Sequence, residues 1–399
     1  MGEKPVPIYV FRTSDVTLEE KEAVIEAIRE VIEIADSPRK KEIVDLDCWK
    51  TEGYKDEKGN LVPGKSIDWL FETSFNKERG QVITTVALAE SSQLELRNER
   101  GSYYAFITGK DLYKPDEKRQ EEYVLGEGSP VNHYALISVH RLKEAKNIDY
   151  REGVKQIAHH EFGHSMGLLS ADRTKAVEKA FGDHCTNDNC AMRRRRNMEE
   201  FERFTKERLE SGKIYCEQCT NDLKKVKIEL KLLHGEVGKE YWKDYRALEQ
   251  KFEKVVGLGD VPPGKGQMEK EQRVTILALC EGKPIGYIRL DMLNQPLRMG
   301  WLYVEEEFRK NITLLENTPW LKNGEDYKIW QHLIKAAWVI GRRAGNEKIE
   351  SAFHDEAAPK RREWRNAQMD KWEKEVGLSE PKELLESMKR KLGWVKPVF

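Results

Sequence analysis

His160, Glu161, Phe162, Gly163 and His164 form an HExxH stretch. On a helix, side chains four residues apart share one face, so both imidazoles can reach one zinc ion. Glu161 then stands beside the metal's open position. There it can take a proton from a metal-activated water and pass it to a leaving amine. The metal lowers the water pKa toward about 7 and polarises a scissile carbonyl. HExxH also arises by chance in helices, but Gly167 extends it to HExxHxxG. A glycine at that place permits a sharp chain reversal. A plain helix C-cap predicts the same backbone with less chemistry.

Four cysteines make a second constellation. Cys185 and Cys190 are separated by four residues, and Cys216 and Cys219 by two. A close pair plus a distant pair suits a tetrahedral structural zinc of the four-thiolate type. Four unliganded thiols, or a redox dithiol at Cys216–Cys219, are the alternatives. Six cysteines in 399 residues are too few for a disulfide scaffold. His159 lies about 100° around the helix from His160 and reads as a packing or surface residue. His133 and His140, near the strands, read the same way.

These residues need elements to hold them. PIYVF reads as a strand, and TLEEKEAVIEAIREVIEIA as a helix capped by Thr17. QVITTVALA, YYAFITG and HYALISVH read as three β-rich segments, followed by the helix REGVKQIAHHEFGHSMGLL. That pattern predicts an α/β unit. ADRTKAVEKAFG (171–182) reads as an extra short helix, and RRRRNMEEFERFTKERLESG as a charged helix ending at Gly212. Its basic run, Arg193 to Arg196, reads as a solvated helix start or a contact for an acidic substrate. A second unit begins near residue 225. VKIELKLL is strand-like, EYWKDYRALEQKFEKVV helical, and RVTILALCEGKPIGYIRLDML a hairpin turning at Glu281-Gly282-Lys283-Pro284. GWLYVEEEF, a helix over IWQHLIKAAWVIGRRAG, KIESAF and the closing GWVKPVF follow.

Length predicts two or three domains. Lys and Arg number 69 against 70 Asp and Glu. This balance gives no strong nucleic-acid or membrane-surface signal. No stretch approaches the roughly 18 apolar residues of a membrane span. The N-terminus lacks a secretory pattern. The expectation is a cytoplasmic protein, and the sequence fixes no oligomeric state.

HEFGHSMG, HCTNDNCAM and CEQC, in this order, resemble the archaemetzincins, a family of zinc peptidases with the pattern HExxHxxGxxHC, four residues, Cys, one residue, Met, a spacer and CxxC. ITGKDLYKP and YVLGEG…ALISVHRL resemble the family's strands before the active-site helix, so the likeness covers roughly residues 5–222. It implies a metzincin-like mixed sheet with an active-site helix over residues 1–222. It implies two zinc ions and a peptide or protein substrate. His160, His164 and His184 would bind the catalytic zinc, with Glu161 as general base and Met192 as the Met-turn floor. Cys185, Cys190, Cys216 and Cys219 would bind the structural zinc. One departure stands out. The family's third histidine position is Ser170 here, and His184 lies 14 residues beyond it. The simplest reading is an insertion, Ser170 to Asp183, that loops out and returns His184 to the metal. Asp183 as an oxygen ligand, or a site with two histidines, are alternatives.

Residues 225–399 resemble GNAT-type N-acyltransferases, which implies a second mixed α/β sheet domain. That family's acyl-CoA pyrophosphate rests on a glycine-containing loop at a helix N-terminus. Here the corresponding run is Arg309-Lys310-Asn311-Ile312-Thr313-Leu314, with both glycine positions lost. The fold is therefore expected more than acetyl-CoA binding, leaving a peptide- or partner-binding module with Trp301 and Trp330 as aromatic contacts. The first reading is thus a zinc metallopeptidase. The alternatives are a non-catalytic zinc-containing binding protein and a bifunctional peptidase and N-acetyltransferase.

Overall fold

The structure is a computed structural model. It describes residues 5–37, 39–55, 61–62, 64–91, 101–115, 123–130, 132–170, 173, 175–178, 184–233, 239–256, 273–291, 297–305, 312–314, 349–351 and scattered positions between 333 and 340. The chain forms two compact units, Met1–Lys227 and Ile228–Phe399. Asp183, Trp330, Arg309 to Asn311 and the closing GWVKPVF lie outside the described residues.

In the first unit the strands and helices run β1 (Val6–Arg12), α1 (Leu18–Ala35), β2 (Lys41–Asp47), β3 (Tyr54–Lys55), β4 (Leu61–Val62), α2 (Ile67–Thr73), β5 (Phe75–Asn76), β6 (Gln81–Ile83) and α3 (Thr84–Ser91). They continue as β7 (Tyr103–Thr108), β8 (Leu112–Tyr113), β9 (Gly126–Ser129), β10 (Tyr134–Ser138), α4 (Tyr150–Ser165), β11 (Val177–Glu178), β12 (His184–Cys185), α5 (Met198–Ser211) and α6 (Glu217–Leu223). The main sheet has the order β2-β1-β7-β10-β9. Its first four strands are parallel, and β9 alone runs antiparallel, against β10.

Strand alternation gives the sheet two apolar faces. Ile8, Val10, Ala105, Ile107, Ala135 and Ile137 face α1 and α4. Tyr9, Phe11, Tyr104, Phe106 and Leu136 face Ile67, Leu70 and Phe71 of α2 and Ala87 of α3. Burial on both sides explains why the central strands read as continuous apolar runs. Thr17 caps α1 as expected, and Glu20 reaches back to the Thr17 N–H to complete a capping box.

Two local expectations are corrected. QVITTVALA is not one β segment: only Gln81–Ile83 is strand, and Thr84–Ser91 is helix. Ala87, Leu88, Ala89 and Glu90 are strong helix formers, and they outweigh the β-branched start. The described part of 171–182 is not helical either. Val177–Glu178 is a strand paired antiparallel with His184–Cys185. A ladder satisfies the backbone of a short returning segment more readily than a helix too short to propagate.

The second unit's elements are β13 (Val226–Leu233), α7 (Trp242–Val256), β14 (Arg273–Cys280), β15 (Lys283–Asp291), β16 (Leu297–Val304), β17 (Ile312–Leu314) and β18 (Ile349–Ser351). They form a mixed sheet of order β17-β13-β14-β15-β16-β18. Tyr245 and Leu248 of α7 pack on Leu277, Leu279 and Tyr287 of the sheet. The expected hairpin is present but tighter. Only Glu281 and Gly282 turn, both at positive φ (49° and 73°), while Lys283 and Pro284 belong to β15. Positive φ at both turn residues matches the twist of the flanking strands. A register shift at Ala278/Leu279 accommodates Pro284, which has no N–H for the ladder. Among the described residues no helix is long and apolar enough to cross a membrane.

Candidate metal centres

α4 carries the first centre. Asp149 caps its N-terminus by accepting from the Glu152 N–H. At the other end Gly167 sits at φ +86°, its N–H donating to the His164 carbonyl. This left-handed turn ends the helix where an L side chain would be strained. His160 and His164 project from one face of α4. β12 brings His184 to them from the far side of the insertion. The ring centroids form a near-equilateral triangle, 4.8 Å between His160 and His164 and 5.2 Å from each to His184. One nitrogen from each ring lies within 4.8 Å of the other two. Ser170 is buried, its carbonyl accepting from the Arg173 N–H.

The backbone fixes the rings. His160 Nδ1 lies 2.8 Å from the Ala191 carbonyl, and His164 Nδ1 lies 2.7 Å from the Leu168 carbonyl. A carbonyl only accepts, so each Nδ1 carries the proton and each Nε2 keeps its lone pair for a metal. The donor set, three imidazoles with a buried carboxylate alongside, fits a zinc ion with an open position.

Glu161 is 6% exposed. Burial, helped by the Glu127 charge, raises its carboxyl pKa to about 8, while Lys114 and Arg195 pull it down. Glu161 and the face of α4 come close to the edge strand β9 because that strand has no side chains at two alternating positions. A Cβ on Gly126 would lie 2.5 Å from Glu161 Cγ, and one on Gly128 would lie 2.2 Å from the Glu161 carbonyl oxygen. Glu127 between them points to the other side and pairs with Lys114 at 2.7 Å.

Met192 is fully buried beneath α4. A Cβ on Gly163 would lie 2.8 Å from Met192 Sδ and 2.9 Å from Tyr215 Oη. Tyr215 donates its hydroxyl to the His159 carbonyl at 2.7 Å. Cys185 N–H donates to the Met192 carbonyl at 2.9 Å, so the turn under the histidines is tied to the strand that supplies His184.

The second centre lies next along the same chain. Cys185, Cys190, Cys216 and Cys219 place their sulfurs within 4.8 Å of one another, with 3.7 Å between Cys185 and Cys216. A ZnS₄ tetrahedron with bonds of about 2.3 Å has S···S edges of about 3.8 Å. Four thiols converging at that spacing, without a disulfide, fit one tetrahedral ion. The backbone N–H groups of Asn187 and Cys216 point at Cys185 Sγ and Cys190 Sγ.

Several participants escape sequence reading. Gly126 and Gly128 were detectable as a G-x-G step on one strand face; Tyr215 and Arg173 carry no local signal. The arginine run is also corrected. Arg195 turns inward and donates from Nη1 to the carbonyls of Ala191 and Arg193, at 2.9 and 2.6 Å. Arg193 pairs with Asp188 at 2.9 Å and lies over the Phe204 ring. Available carbonyls, carboxylates and rings draw these two side chains out of solvent, leaving Arg196 exposed. His133 stacks on Tyr103 and His140 Nδ1 meets the Gly109 carbonyl at 3.0 Å, so neither joins the triangle.

No family model matches the chain. It is 30% identical over 118 residues to the archaemetzincin of Archaeoglobus fulgidus, a stretch that is 30% of this chain and 58% of that relative. Among solved structures, archaemetzincin from Methanopyrus kandleri covers 55% of this chain and 93% of its own at 21% identity and a TM-score of 0.36. An aminoglycoside acetyltransferase from an uncultured soil metagenomic sample, in complex with sisomicin, covers 35% of this chain and 86% of its own at 12% identity and a TM-score of 0.25. In aligned sequence the chain is similar to an archaemetzincin over a little more than half of that relative's length, and it is this family that its motif order resembles.

Proposed function

We propose that the chain is a zinc-dependent metallopeptidase, with residues 1–222 as its catalytic domain. The observation that carries this reading is the convergence of His160, His164 and His184 beside buried Glu161, despite the 14-residue displacement of His184. His160, His164 and His184 would hold a zinc ion, which would supply Lewis acidity for the scissile carbonyl and for the attacking water. Glu161 accepts the proton of that water and returns it to the leaving amine. Glu161 must be ionised to accept that proton: Lys114, Arg195 and a bound zinc ion would each favour that form, against the burial that otherwise raises its carboxyl pKa to about 8. The carbonyls of Ala191 and Leu168 keep the two helical imidazoles in one tautomer and one orientation. Met192 supplies an apolar floor, and the four-cysteine centre would hold a structural zinc that braces the segment between His184 and Cys219. Glu161→Gln tests the reading. The variant should keep its zinc and lose at least about 10²-fold in peptide hydrolysis. Undiminished turnover would sink the mechanism.

For residues 225–399 we propose a partner-binding role without acyl transfer. Ile312–Leu314, which stand where a phosphate-cradling loop would place its glycines, form the edge strand β17 beside β13. A strand of this kind commits backbone groups to a ladder, and its Ile and Leu are bulky where a pyrophosphate needs close backbone approach.

A further inference from the structure

The insertion that displaces His184 also carries Arg173, and this residue donates to two of the four cysteine sulfurs and to groups flanking them. It is 9% exposed. Its Nη1 donates to Cys219 Sγ at 3.0 Å and to Asp222 Oδ2 at 3.4 Å. Its Nη2 reaches Cys185 Sγ at 3.5 Å, Gln218 Oε1 at 2.8 Å and the Ala176 carbonyl at 3.1 Å. Its Nε donates to the Lys175 carbonyl at 3.0 Å. All three guanidinium nitrogens are therefore engaged, from one side by the inserted segment and from the other by both cysteine pairs.

We propose that Arg173 is a positioning residue that offsets part of the negative charge of the four-cysteine centre and thereby anchors the inserted segment which delivers His184. This rests on the reading that the four cysteines bind zinc. Four thiolates around one divalent ion leave two negative charges in a buried place, and a buried charge needs a partner. Arg173 supplies a cation whose planar fork donates to one sulfur from each cysteine pair. The same fork closes the turn into β11. Ala176, at φ +52°, offers its carbonyl to both Arg173 Nη2 and the Thr186 N–H. From there the chain pairs as β11 with β12, where Glu178 faces His184 and Val177 faces Cys185. A chain without the insertion has no need of such an anchor. Here one side chain links the return path to the metal centre it passes.

The test uses the full-length protein loaded with Co²⁺ in place of zinc, and the variants Arg173→Met and Arg173→Lys. Hydrogen bonds to a thiolate withdraw electron density from sulfur. Arg173→Met should therefore move the thiolate-to-cobalt charge-transfer band to longer wavelength. It should also speed zinc release to a chromophoric chelator about 10–100-fold, the usual scale for an outer-shell partner. Arg173→Lys keeps the charge but cannot bridge both sulfurs, so its band should fall between the other two. If Arg173→Met fails to fold, the lysine variant still decides the matter by its band. Unchanged band position and release rate in the soluble variants would overturn the proposal. A wild-type protein with no thiolate–cobalt band would instead remove the four-cysteine zinc reading itself, and this proposal with it.

Discussion

Lowering the pH from 7 to 5 should destabilise the first unit through one buried imidazole. His159 is 1% exposed, and its Nε2 lies 2.6 Å from Glu30 Oε2. Burial holds its pKa at about 4, against about 6.5 for a histidine in an unfolded chain. The neutral ring donates Nε2–H to the Glu30 carboxylate, which that bond, with Lys155 alongside, holds at about 2. A histidine depressed by folding is protonated first in the unfolded chain. Its contribution is complete above pH 6.5 and is lost as the pH falls toward 4. Glu30 has the same sense of shift, but its contribution is lost only below about pH 4, outside this window. At 1.36 kcal/mol per pKa unit, the His159 loss between pH 7 and 5 is about 2 kcal/mol. Urea unfolding of the wild type and of His159→Gln, at pH 5, 6 and 7 with zinc present, isolates it. Glutamine keeps a donor for Glu30 and does not titrate, and protonation of the metal ligands is common to both proteins. The stability difference should shrink by about 2 kcal/mol toward pH 5. A difference that stays flat across this range would refute the assignment of a neutral buried His159.

Gly163→Ala should destabilise the protein by about 1–2 kcal/mol, because overpacking against Met192 Sδ and Tyr215 Oη exceeds the roughly 1 kcal/mol gain in helix propensity; thermal unfolding checks the sign. Cys190→Ser should lower zinc content from two ions per chain to one in elemental analysis and leave the histidine-bound ion in place.

The parts of the site legible in the sequence are those whose geometry is local. The spacing of His160 and His164 implies one helix face whatever the rest of the fold does, and Gly167 marks the end of that helix three residues later. The apolar, β-rich runs YYAFITG and HYALISVH gave strands because both faces of the sheet are buried. The adjacency of His184 and Cys185 made the displaced histidine readable, since a strand two residues long can serve both centres. Its route was misread because 171–182 has helical composition, whereas Val177–Glu178 is held by pairing with β12, a contact no local pattern announces. Arg173 reaches Cys219 across 46 residues, and the half-buried Arg195 turns inward to the carbonyls of Ala191 and Arg193. Such choices are made by tertiary packing, which overrides the usual expectation that an arginine run is solvated.

The most direct test of the central claim is a zinc-edge anomalous difference map from crystals of the zinc-loaded protein. The account predicts a peak about 2.1 Å from one nitrogen each of His160, His164 and His184, with Glu161 beside its open side. A metal held by His160 and His164 with His184 turned away, or with an oxygen ligand from Asp183 in its place, would contradict it.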